Sequence, residues 1–341
     1  MQVQRQLAAL PPGTAACIGA FDGLHLGHQA LLQRAAALQP KVALITFDPH
    51  PARVLAPERA PCLLQSPGQR ERVCATLGVD PLVLLPFDRA MAAMEPRDFA
   101  QRVLIDGLRP ASVVVGEDFR FGAERRGGTD ELVALLDAAG IDVAIVRELK
   151  LGARKIGSSA IRAALRAGEV ATILEPLGRV FAISGEVIRG AGRGRGLGVP
   201  TANIATRDVL LPAPGVYAAA LQVVDPASPL YGARWPAAAN LGSNPTFHGD
   251  EANRANDARD AAQSLEVHAL DVDLGERLYG VEVEVGLFRR LRDETRFSGV
   301  DTLKAAISAD LDAARTIVTD AAMADFWPPP PLRAAADEDR R

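Results

Sequence analysis

Ala15-Ala16-Cys17-Ile18-Gly19-Ala20-Phe21-Asp22-Gly23-Leu24-His25-Leu26-Gly27-His28 decides how the first half of this chain folds. Its opening residues, Ala15–Gly19, form a short apolar run that favours a β-strand. After His28 the spacing changes: Leu31, Leu32, Ala35 and Leu38 fall on one face of a helix. A strand passing through a glycine-bearing turn into a helix is the unit from which parallel, doubly wound sheets are built. Gly23 and Gly27 allow close approach of backbone to a ligand. The helix start aims unpaired N–H groups and the positive end of its dipole at that ligand, which favours an anion. His25 and His28 at that terminus can donate hydrogen bonds to phosphate oxygens. The alternative for a lone pair of histidines three apart is a metal site or a surface coincidence. The other histidines, His50, His248 and His268, supply no third ligand at a recognisable zinc spacing.

The same alternation continues downstream. Lys41–Phe47, Leu82–Leu85, Ser112–Val115 and Val143–Val146 are apolar strand-like runs bounded by Pro, Gly or Asp. Between them a helix opens at Pro96, another spans Thr129–Ala139 with Gly140 as its stop, and Ser159–Ala167 is closed by Gly168. A change of texture follows Gly178. Phe181–Ile188, Gly215–Val224, Trp235–Asn240, Leu265–Asp271 and Gly280–Phe288 read as strands joined by turns, and a helix from Leu303 to about Thr319 closes the domain. The expected fold is α/β: a doubly wound parallel sheet over 1–178, then a mainly antiparallel β-barrel with a closing helix over 179–325. Asp250–Ser264 reads as a polar mobile loop, and 326–341, proline followed by charge, as a disordered tail.

Composition narrows the function classes. With 38 basic and 42 acidic residues the 341-residue chain has a net charge of −4, so no basic face for nucleic acid is expected. Cys17, Cys62 and Cys74 form no CxxC pair, which points away from disulfides and structural zinc and towards a reducing, cytoplasmic setting. No signal peptide is evident and no apolar run approaches the roughly 20 residues that span a bilayer. Small molecules are the expected partners. The oligomeric state stays open, with weak self-association among the states allowed.

Longer strings sharpen the reading. Gly19 through His28 resembles the signature of the HxGH nucleotidyltransferases. Thr46-Phe47-Asp48-Pro49-His50-Pro51, Val115-Gly116-Glu117-Asp118-Phe119-Arg120-Phe121-Gly122 and Ile156-Gly157-Ser158-Ser159-Ala160-Ile161-Arg162 resemble further blocks of one branch, the adenylyltransferase half of prokaryotic bifunctional FAD synthetases. That last block commonly reads Ile-Ser-Ser-Thr-x-Ile-Arg, from which Gly157 and Ser159 depart. The resemblance implies that Gly19, Phe21, Gly23, Gly27, Asp118, Ser158 and Ser159 contact ATP, with His25, His28 and Arg162 catalytic. Arg162 is a fixed cation able to fork onto phosphate, and Ser158 and Ser159 could cap a helix while bonding phosphate oxygens. Phe119 and Phe121 read equally well as flavin contacts or as anchors of their loop; Asp48 and His50 read as structural.

In the second half, Arg189 to Gly198 is glycine-rich without an exact GxGxxG, and the chain has no Gly-Lys pair, so neither a dinucleotide nor a Walker fingerprint is present. Alone it would be a flexible arginine-bearing loop. Its continuation Pro200-Thr201-Ala202-Asn203 resembles the riboflavin kinase signature. Pro214–Tyr217, Asn240–Phe247, Leu265-Glu266-Val267-His268 and the segment from Phe288 to Phe297 follow in the family's order. The resemblance implies Gly194 and Gly198 over ATP, Thr201 and Asn203 at its phosphates and Mg²⁺, Glu266 as catalytic base, and Arg292 and Phe297 near the flavin. A hydroxyl and an amide carbonyl are oxygen ligands that suit a hard ion. Arg292 reads as a ligand contact or as the ion-pair partner of Glu294. The function so implied is phosphorylation of riboflavin to FMN and adenylylation of FMN to FAD, with ATP as the second substrate of each. The rivals are a transferase acting on another phosphate and a flavin-binding protein without turnover; release of ADP or pyrophosphate separates the latter.

Overall fold

The computed structural model describes residues 1–190, 198–206, 209–243 and 263–324, which fall into two compact units. Gly194, Asn244–Phe247, the loop 250–262 and the tail 326–341 lie outside the described residues.

The first unit comprises Met1–Pro61 and Pro67–Gly157. Six strands, β1 (Val3–Gln4), β2 (Thr14–Ile18), β3 (Lys41–Asp48), β4 (Leu82–Pro86), β5 (Ser112–Gly116) and β6 (Asp142–Val146), pair in the order β1-β4-β3-β2-β5-β6. Every pairing is parallel. Successive side chains of a strand leave opposite faces, and both faces are covered. Ala16, Ile18, Ala43, Ile45, Val113 and Val115 pack with Val103, Leu104, Leu132 and Leu136. Ala15, Cys17, Val42, Leu44 and Val114 pack with Leu31, Leu32 and Ala35 of α1 (Leu26–Leu38) and Val73 and Cys74 of α2 (Pro67–Thr76). Burial on both faces is why these strands read as unbroken apolar runs. The second layer includes a π-helix, Ala100–Leu108, and α3 (Thr129–Asp137), after which Gly140 turns the chain at φ 72°.

Two elements here carry no apolar signature. The edge strand β1 pairs Val3 with Leu82. A hairpin of β7 (Lys150–Leu151) and β8 (Arg154–Lys155) follows β6.

The second unit takes in Cys62–Ser66 and the chain from Ser158 onward. Six antiparallel strands close a barrel in the order β10-β13-β12-β11-β14-β9: β9 (Phe181–Ile188), β10 (Ala202–Ala205), β11 (Gly215–Val223), β12 (Arg234–Ser243), β13 (Gln263–Ala269) and β14 (Glu282–Arg292). Ile183, Ile204, Tyr217, Leu241, Leu265 and Val285 share its core. Tyr217 is fully buried, bonds the Ala213 carbonyl, and has its hydroxyl pKa pushed up to about 12 by burial. The helix α5 (Val300–Ile317) lays Leu311 and Ala314 against Ala218, Ala220 and Ala238 on the outside.

Two boundaries and one strand differ from expectation. α4 (Ser158–Arg166) and the turns after it place Ile161, Leu165, Val170, Ile173 and Leu177 in the barrel's core cluster, so the compact division falls before Ser158 rather than after Gly178. An amphipathic helix follows whichever core accepts its apolar face. Ser264, expected in a loop, is already in β13, opposite Gly242. β10 was not anticipated: it lies inside the Thr201–Asn203 string, and four residues are too few for a periodic signal.

Candidate active sites

β2 sits where the strand order reverses. Its chain continues through α1 to β3 on one side, while β5 pairs with it on the other. Open parallel sheets bind ligands beyond the carboxyl ends of the strands at such a point. Two loops leave there: Gly19–His25 after β2 and Glu117–Gly122 after β5.

The first loop is tightly wound. Phe21 and Leu24 adopt φ 48° and 40°, and Gly23 adopts φ 88°. Left-handed backbone is costly for residues with a Cβ, and Phe21 and Leu24 are both fully buried in the core beneath α1, which holds the turn. Thr46 at the end of β3 donates to the Ala20 carbonyl at 3.0 Å, and Gln29 donates back to Leu24 at 2.9 Å. His25 is the N-cap of α1: its Nδ1 accepts from the His28 backbone N–H at 3.3 Å. A ring nitrogen that accepts carries no proton, so the neutral imidazole bears its proton on Nε2 and can donate there. The two imidazoles stack with centroids 3.7 Å apart at 16°, and Phe21 packs 5.0 Å from His28. A Cβ at Gly27 would lie 3.2 Å from the His25 ring, and one at Gly19 3.3 Å from Phe21. Both glycines therefore make room for rings. Among the described residues no group of three or more His, Cys, Asp or Glu side chains could hold a metal ion.

In the second loop Asp118 is exposed and pairs with Lys155 of β8 at 2.8 Å; Lys155 also bonds Glu148. Hydrogen bonding to Lys155 holds the Asp118 carboxyl below the usual carboxylate range. Phe119 and Phe121 stack 5.8 Å apart at 15°. Phe121 is 5% exposed within the core cluster, and a Cβ at Gly127 would fall 2.7 Å from its ring. Phe121 thus anchors the loop, and Phe119, half-buried, is the ring nearer the surface. His50 caps the short helix Pro51–Leu55 through Nδ1, as its structural reading expects.

The fourth block opens α4. Ser158 and Ser159 form its first turn. Arg162 is 7% exposed and its Nε donates to the Cys62 carbonyl at 2.9 Å. These residues belong to the second unit.

The barrel's polar residues are assembled by strand register. Asn203 of β10 lies opposite Glu266 of β13. Their neighbours Ile204 and Leu265 point into the core, so Asn203 and Glu266 share the outer face. The Thr201 hydroxyl lies 3.5 Å from Glu266 Oε2. His268, two residues along, bonds the Pro200 carbonyl through Nδ1 at 2.7 Å, fixing the approach to Thr201. A Cβ at Gly190 would be 2.0 Å from Asn203 Nδ2, so only glycine leaves space for that amide. Gly198 turns the chain at φ 80° just ahead. A cavity of about 50 Å³ opens onto Thr201 between Val187, Leu221, Val267 and Leu278.

Arg292 ends β14. Its partner is Asp310 of α5, reached by Nη2 at 2.8 Å and Nε at 3.0 Å, and not Glu294. Its guanidinium lies 5.3 Å from the Phe297 ring centroid, within cation–π range. Asp310, Lys155 and Gly190 carry no sequence signal of these contacts. Each works through a partner distant in sequence, and no local pattern marks such a pair.

The family model described as FAD synthetase matches residues 8–160, and that described as riboflavin kinase matches 177–318. The bifunctional riboflavin kinase/FMN adenylyltransferase of Pseudomonas fluorescens is 34% identical over 94% of this chain and 99% of its own length. That of Escherichia coli K12 is 37% identical over 89% of this chain and 92% of its own. A solved structure from Streptococcus pneumoniae, described as a macrolide-efflux protein, is 28% identical with a TM-score of 0.78, covering 92% of this chain and 99% of that one. No described helix of the present chain is long and apolar enough to cross a membrane.

Proposed function

The chain belongs to the bifunctional riboflavin kinase/FMN adenylyltransferase family, and we propose that it makes FMN in its barrel and FAD at its parallel sheet. The carrying observation is the juxtaposition of Thr201, Asn203 and Glu266 on one barrel face. A hydroxyl, an amide and a carboxylate brought together there supply what phosphoryl transfer to an alcohol requires: phosphate and cation contacts beside a proton acceptor.

In the kinase step Glu266 takes the proton from the terminal ribityl hydroxyl as its oxygen attacks the γ-phosphorus of ATP, and ADP leaves. The Thr201 hydroxyl and the Asn203 amide oxygen are donors of the kind Mg²⁺ accepts alongside several waters, and they would hold it. When bound, the ion neutralises triphosphate charge. Arg292, tied to Asp310, and Phe297 would face the flavin.

In the adenylyl step an FMN phosphate oxygen attacks the α-phosphorus of the second ATP and pyrophosphate leaves. That nucleophile is already an anion and needs no base. Catalysis there falls to positioning and charge stabilisation. His25 would donate from Nε2, with His28 beside it, and the N-terminus of α1 would face the phosphates. Asp118 would bond the nucleotide, and Phe119 would meet the flavin.

Chromatography of a time course with riboflavin, ATP and Mg²⁺ tests the whole reading. FMN should appear first and FAD later. FMN alone would leave the adenylyl half without support, and no product would overturn both halves.

A further inference from the structure

Glu266 has a second neighbour. β13 lies between β10 and β12, and the register sets Asn240 of β12 opposite Glu266 just as it sets Asn203 opposite from the other side. Leu241 beside Asn240 points into the barrel core, which puts Asn240 on the outer face with Glu266 and Asn203. Three half-buried polar side chains thus stand in one row across three strands. Directly opposed residues of antiparallel strands have Cβ atoms about 5 Å apart, within reach of an amide and a carboxylate. The two ends of this row are both opened by glycine. Gly190 admits the Asn203 amide, and a Cβ at Gly242 would lie 3.2 Å from Asn240 Nδ2 and 2.7 Å from Glu294 Oε1.

A glutamate on a flat strand face has three side-chain torsions to restrict before its lone pair can point at one hydroxyl. Thr201 touches one carboxylate oxygen at 3.5 Å, a weak restraint. Asn203 is confined by Gly190 and is engaged, on the reading above, with phosphate and cation. Among the described residues, β12 is the strand that flanks Glu266 on the other side.

We propose that Asn240 is a positioning residue of the kinase site, whose amide orients the Glu266 carboxylate from the side opposite Thr201 and Asn203 when the substrates are bound. This rests on Glu266 being the base. An amide suits that task because it donates a hydrogen bond and carries no charge at any working pH. Of the described titratable groups, His268 lies two residues along the same strand and Glu294, beyond the end of β14, approaches Gly242 of β12; β10 contributes Thr201 and Asn203, both neutral.

The test uses the full chain carrying Asn240→Ala or Asn240→Asp, with riboflavin phosphorylation followed across pH and FAD formation from supplied FMN measured alongside. Asn240→Ala should lower kcat for FMN formation about 10- to 100-fold, as misplacement of a reacting group does, with KM for riboflavin within about threefold. Asn240→Asp keeps the shape but sets a like charge beside the base, and should move the acidic limb of the kcat/KM profile up by about one pH unit. FAD formation should hold in both. Unchanged kcat and an unmoved limb would overturn the inference. So would a loss in Asn240→Asp equal at every pH and matched by lower thermal stability, the mark of a purely structural role. Glu266→Ala run in parallel separates the two levels. If it keeps FMN formation, the base assignment itself fails; if it loses it while the Asn240 variants do not respond, only the role of Asn240 fails.

Discussion

The parallel sheet and the barrel carry their chemistry in opposite ways. At the sheet, the candidate groups sit on loops beyond strand ends, where Gly19–His28 and Glu117–Phe121 meet the point of strand reversal. At the barrel they stand on the strands, and Thr201, Asn203 and Glu266 are near one another because β10 and β13 pair in one register. A loop site depends on turn residues and caps close together in sequence. A strand site depends on pairing between segments some 60 residues apart, and a slip of one residue would turn every side chain to the other face.

That contrast predicts separable damage. Glu266→Ala should lower riboflavin phosphorylation about 10²- to 10⁴-fold, the usual cost of a general base, and leave FAD formation from FMN intact; assays of the two half-reactions check it. His28→Ala should do the converse, lowering FAD formation about 10²- to 10³-fold by loss of a hydrogen-bond donor to developing charge, with FMN formation near normal. If either change removes both activities, the two regions are not independent and the contrast fails.

Smaller effects sharpen it. Gly190→Ala should displace Asn203, because the new Cβ would fall 2.0 Å from its amide. Overpacking of this kind costs about 1–3 kcal/mol, and KM for Mg-ATP in FMN formation should rise about tenfold. Asp310→Ala strips Arg292 of its ion-pair partner. Loss of one partner of a fully buried pair costs 3–5 kcal/mol, and this pair is partly exposed, so about 2 kcal/mol is expected; thermal unfolding measures it. Lys155→Met should have the least effect. Lys155 depresses the Asp118 pKa, so the stability it brings is present above the ordinary aspartate range and fades as pH falls through the lowered value. The pair is exposed, and at most about 1 kcal/mol should be lost at neutral pH. The urea midpoint should then change less between pH 7 and pH 3 than in the parent chain.

Much of this was legible beforehand for a physical reason. β2 to β5 are each buried on two faces, which forces continuous apolar runs, and His25 and His28 lie within ten residues of the turn that holds them. β10 was not legible: its four residues sit inside a motif, and it is a strand because β9 and β13 flank it. Arg292 was legible as a charge in need of a partner, yet nearby Glu294 was only one option. The structure supplies Asp310, which α5 brings to the end of β14 when Leu311 and Ala314 cover the barrel. Likewise Ser158–Leu177 reads as a helix and turns by its local pattern, but only packing decides which core takes its leucines.

The sequence by itself determined the two architectures, the phosphate-facing turn and the residue types available for each reaction, because hydrophobic period, glycine placement and motif spacing are local properties. The tertiary structure decided which of those residues face one another: Glu266 between Asn203 and Asn240, Arg292 on Asp310, Lys155 on Asp118. Such pairings depend on register and on the docking of distant segments, which minimise exposed apolar surface over the whole unit and leave no trace in any short stretch of chain.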